Sequence, residues 1–69
     1  MSAQEKQAEH DFMLANIKWA EKWLAVPESD LPGALTHDKC RQVLFDNEDA
    51  IHDLRLGGKF TADGKFAGF

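Results

Sequence analysis

Cys40 is the only cysteine in this 69-residue chain, so no intrachain disulfide can brace it. Its three histidines and twelve acidic residues fall at no spacing that matches a familiar metal site. Basic residues are few: eight Lys and Arg, scattered along the chain, against twelve Asp and Glu, for a net charge of -4. Phosphate binding needs a clustered basic surface, so nucleic acid is not expected as a ligand. No apolar run approaches the roughly 20 residues that span a bilayer. No cationic, apolar leader opens the chain, and a cytoplasmic protein with no membrane contact is expected. Catalytic and phosphate-cradling motifs are also missing, which points away from an enzyme and from any cofactor.

These absences bear on stability. A domain this small buries only about 60% of its unfolded surface. Disulfides, metals and oligomerisation are the usual supports, and the first two are not evident here. A homodimer is therefore expected.

Two heptad-like seams are present. Met13, Ile17, Ala20 and Leu24 lie in the first half, and Cys40, Leu44, Asn47, Ile51 and Leu54 in the second. Stripes of this spacing bury themselves against another helix. The first helix is expected over 2–25, opened by a Ser2/Glu5 capping box and stopped by Pro27. Its apolar face also takes in Phe12, Trp19 and Trp23 and spans roughly 160°, wide enough for two neighbours. Residues 26–35 form a short connection of turn residues, which favours antiparallel neighbours. The second helix is expected over 36–56, ended by a left-handed cap at Gly57-Gly58. Residues 57–69 form a tail or a small hairpin, with Ala62-Asp63-Gly64 as the loop and Phe60 opposite Phe66.

Asn16 and Asn47 sit among apolar residues. A polar residue at a seam fixes register and partner number at a cost in stability, so Asn47→Leu is expected to stabilise a coiled-coil-like core. The core or dimer set is thus Phe12, Asn16, Trp19, Trp23, Leu44, Asn47, Ile51 and Leu54. Whether the two Trp residues face the core, the dimer interface or a partner stays open.

Few residues suggest chemistry. His37 and Cys40 are three apart on one helix face, a spacing that suits zinc or an activated thiolate. No nearby residues complete a site, and Cys40 at a seam position reads as a small buried apolar residue. Asp46, Glu48, Asp49 and Asp53 make a solvated acidic face rather than a calcium loop. Phe45 lies roughly 140° from Cys40 around the helix, off the seam, beside Arg41, His52 and Leu56. This group either binds a protein partner or covers another part of its own chain.

The fold expected is all-α: an antiparallel two-helix hairpin in one domain, dimerising into a four-helix arrangement, with a C-terminal β-hairpin or tail. The function expected is non-enzymatic binding of a protein with a basic surface, as an adaptor or inhibitor. A structural or assembly subunit is the alternative. In size, acidity, the Trp19/Trp23 face and the Cys40–Leu54 seam, the layout resembles small phage-encoded proteins that inactivate host proteins, of the quorum-sensing anti-activator type. That resemblance implies action in the host cytoplasm on a transcription regulator or a motility ATPase. It carries over no individual site residue.

Overall fold

A computed structural model of the chain describes residues 2–58 and 60–68. Two helices, α1 (Ala3–Leu24) and α2 (His37–Gly58), pack against each other to form a body of 45 × 19 × 17 Å. Ser2 caps α1, its Oγ accepting from the Glu5 amide at 3.1 Å. Such a cap satisfies one of the free amides at a helix start. Pro27 follows, and a short 3₁₀ turn, Glu28–Asp30, begins the connection. A Pro32–Leu35 turn, with Gly33 at φ 56°, completes it. Thr36 then caps α2 through the Lys39 amide at 3.2 Å.

Three hydrogen bonds define the register of the hairpin. His37 Nε2 donates to the Val26 carbonyl at 2.7 Å, Asn16 Nδ2 to Asn47 Oδ1 at 3.1 Å, and Arg55 Nε to His10 Nε2 at 3.1 Å. The paired residue numbers add to 63, 63 and 65, as antiparallel helices require. The two seams meet within one chain. Ala20, Cys40, Ile51 and Leu54 are its buried apolar residues, while Met13, Ile17, Leu24, Leu44 and Asn47 are half-buried.

Several expectations change. Phe12 and Trp19 are not in the core of the chain: Phe12 is 67% exposed and Trp19 41%. Both lie on the side of α1 turned away from α2, because the 13/17/20/24 stripe occupies the other side. Trp23, at the edge, is half-buried, with the Lys22 ammonium 5.0 Å from its ring centre. Gly57 and Gly58 are the last residues of α2 rather than a left-handed cap. The tail forms no strand among the described residues; Phe60 and Phe66 meet in one isolated antiparallel bridge around a turn with Gly64 at φ 85°. The two asparagines pair with each other inside one chain, so no second copy is needed to satisfy them.

That pairing reverses the expected effect of Asn47→Leu. Asn47 accepts from Asn16 and donates to the Val43 carbonyl of its own helix at 2.7 Å. Removing it leaves a half-buried Asn16 amide facing methyl groups. We predict that Asn47→Leu lowers stability by about 1 kcal/mol, whereas Asn16→Leu combined with Asn47→Leu is neutral or stabilising. Urea denaturation of the single and double variants measures both. A single Asn47→Leu change that stabilises would remove the hydrogen bond from the account of register.

Candidate functional site

The outward side of α2 carries the candidate binding residues. Residues at 41, 45, 52 and 56 fall within about 60° of one another around a helix, along roughly 22 Å of its length. All four are exposed, Phe45 by 56% and Leu56 by 73%. Neither large apolar side chain is covered by α1 or by the tail. Arg41 is held in place by an ion pair with Asp38, one turn earlier.

Beside this strip, α1 and α2 enclose an open cleft of about 450 Å³. Leu14, Ile17 and Ile51 give it an apolar floor, and Glu48, Asp49, His52 and Arg55 a charged rim. Asp46, Glu48, Asp49 and Asp53 form no ion pair among the described residues. Asp46 accepts one neutral hydrogen bond, from Gln42. The four carboxylates lie within eight consecutive residues that contain no Lys or Arg. No Lys or Arg within that segment offsets their charge, and such a row of acids attracts a cationic surface.

His37 and Cys40 do not form a reactive pair. His37 Nε2 is committed to the Val26 carbonyl, its Nδ1 lies 3.6 Å from Glu28, and Cys40 is fully buried. No group of three or more His, Cys, Asp or Glu able to hold a metal ion occurs among the described residues.

The residues that sequence patterning missed are Gln7 and His10, which dock the tail. Gln7 is a two-ended clamp: Nε2 donates to the Gly64 carbonyl at 2.9 Å, and Oε1 accepts from the Phe66 amide at 2.7 Å. His10 is 1% exposed and stacks on Phe60, with ring centres 4.6 Å apart. Phe66 meets Phe60 edge-on at 5.3 Å. The Arg55 bond requires His10 Nε2 to accept, so the Nδ1–H tautomer donates to Asp11 at 3.2 Å. Arg55 thereby joins the cleft rim to the tail dock. A helix-face histidine flanked by Glu9 and Asp11 gives no sequence signal of burial; only the stacked Phe60 does, and it lies 50 positions away.

Comparison of the chain with family models, with curated proteins and with solved structures finds no match. No helix among the described residues is long and apolar enough to cross a membrane.

Two predictions concern the dock. Gly64 has a backbone conformation that side chains rarely adopt, and a Cβ there would stand 2.9 Å from His10 Cε1. Gly64→Ala is expected to release the tail, with a loss of about 1–3 kcal/mol as for overpacked sites. Faster amide exchange at Phe66, with α1 and α2 unchanged by circular dichroism, is the expected signature. Unaltered protection at Phe66 would contradict the packing described.

The second is acid sensitivity. The Gln7 amide, and then His10, hold the Asp11 carboxyl below its ordinary pKa, and the Thr61 hydroxyl does the same for Asp63. A carboxylate depressed in the folded state adds stability above its unfolded value of about 3.9, and that stability is lost as pH falls through the folded value. Both acids belong to the tail or its dock. Acidification below about pH 4 should therefore shift the Phe66 and Gly64 amide resonances before helix signal is lost. Resonances that hold still until the helices melt would show that these carboxylates do not stabilise the dock.

Proposed function

We propose that this chain is a non-enzymatic adaptor or inhibitor that binds a protein with a basic, partly apolar surface through the outer side of α2. One observation carries the reading: exposed Phe45 and Leu56 bracket Asp46, Asp49 and Asp53, acids that form no ion pair among the described residues. Aromatic and Arg anchors supply most of the energy of a protein interface, and charge around them steers encounter. Phe45 and Arg41 are suited to the first role and the Asp row to the second. The cleft beside them gives an entering side chain an apolar floor. The resemblance to small phage-encoded inhibitors makes a host transcription regulator or a motility ATPase the first targets to test.

The test pairs affinity with stability. The partner is captured on the immobilised protein, identified by mass spectrometry, and then titrated by calorimetry. Phe45→Ala and Arg41→Ala should each weaken binding by about 2 kcal/mol or more, the usual hot-spot threshold. Melting should move little, because an exposed position away from core contacts contributes within about 0.5 kcal/mol. Neutralising Asp46, Asp49 and Asp53 together should slow association and flatten its salt dependence. Recovery of a fixed multi-subunit assembly would instead favour the assembly-subunit reading. Full affinity in both anchor variants would place the interface elsewhere.

A further inference from the structure

We propose that the outer face of α1 binds a second copy of the same chain, antiparallel, in a register centred between Met13 and Leu14. The face is a third heptad-like stripe: Glu5, Ala8, Phe12, Ala15, Trp19 and Lys22, spaced 3, 4, 3, 4, 3. Every one of the six is exposed. It lies opposite the Met13, Ile17, Ala20 and Leu24 stripe that packs on α2, so α1 has a seam on each side. Phe12 and Trp19 are two of the four large apolar side chains that stay exposed in the described structure.

The order of residues along this stripe is self-complementary. A twofold axis between Met13 and Leu14 brings together positions whose numbers add to 27. Ala8 then faces Trp19 of the second copy, and Phe12 faces Ala15. Each aromatic ring meets a methyl group, the large-against-small match that lets two helices approach closely. Glu5 faces Lys22 at each end, closing the apolar stretch with opposite charges. Farther from the seam, Glu9 and Lys18 obey the same relation. A twofold interface requires this reciprocity, since each contact occurs twice. In parallel pairing, Glu5 would meet Glu5, and Phe12 and Trp19 would stack on their own copies.

The occupant follows from these facts. The tail of the same chain is already docked on Gln7 and His10, away from this stripe. The basic partner proposed above is drawn to α2, whose acids form no ion pair among the described residues. The α1 stripe has acid at one end and base at the other, which suits its own inverted copy. The four rings of a pair would cover roughly 450 Å² of aromatic surface. Stable interfaces bury about 1,200–2,000 Å² in total, so the pair should be a reversible dimer rather than an obligate one.

The experiment uses the full chain and sedimentation equilibrium at micromolar to submillimolar concentration. Wild type should approach twice the 7.8 kDa chain mass as concentration rises. Ala15→Glu, an exposed and helix-compatible change, should hold the chain at monomer mass with unchanged circular dichroism. Glu5→Lys and Lys22→Glu should each weaken self-association at least tenfold. Mixing these two variants should restore it, because each Lys then faces a Glu in the partner. Wild type that stays monomeric across the range overturns the proposal. So does a dimer that survives Ala15→Glu, which would use another face. A dimer of wild-type strength in both charge variants, or a mixture that fails to recover, overturns the antiparallel register.

Discussion

The hairpin depends on a single interhelical seam, and the Asn16–Asn47 hydrogen bond sets its register. Apolar contacts between two long helices are nearly equivalent after a slip of one turn. A half-buried amide pair is not: a slip strands both side chains among apolar neighbours without partners. With that layer fixed, His37 reaches the Val26 carbonyl at the turn end and Arg55 reaches His10 at the open end. The energy of the fold comes from the apolar stripes, and its uniqueness from these three polar contacts.

The open end explains the otherwise unexpected tail. Antiparallel helices joined at one end leave their other ends without a connection to cover them. Residues 60–68 fill that gap. The Gln7 clamp satisfies two backbone groups of the turn, Phe60 stacks on His10, and Phe66 packs edge-on against Phe60. His10 in turn needs Arg55 and Asp11 to satisfy both ring nitrogens, so a residue from each helix and a ring from the tail are tied together. The tail is thus a third packing element, although it forms no strand.

The seams were legible in the sequence because helical periodicity survives in single residues: Ala20, Cys40, Ile51 and Leu54 recur at the required spacing and are buried. So were the Ser2 cap, the Pro27 stop and the Phe60–Phe66 pairing, each set by local turn chemistry. The side taken by Phe12 and Trp19 was left open between core, copy and partner, because hydrophobicity alone does not say which of two sides of a helix a neighbour covers; in the single chain both are exposed. The tail dock was hidden for a different reason. Gln7 and His10 are polar residues on a polar-looking stretch, and their partners lie more than 40 positions away. Phe45 and Leu56 were legible as a departure from the seam, but only the structure shows them exposed rather than covered by another part of the chain.

The two outward faces have different chemistry and point away from each other. The stripe on α1 is balanced in charge and self-complementary, whereas the outer side of α2 sets the Arg41, Phe45, His52 and Leu56 strip beside a row of acids. If α1 pairs with its copy, the order across the assembly is α2, α1, α1, α2, with neighbouring axes about 8–10 Å apart. The two outer sides of α2 then stand at opposite edges, roughly 25–30 Å apart. A target that is itself a twofold dimer with basic patches at that spacing would be held at both, and its second contact would form at high effective concentration. A target with one patch would gain nothing from the pairing. On these proposals, coupling a weak self-interface to a modest binding strip would give selective affinity to a chain with only four buried apolar side chains among its described residues.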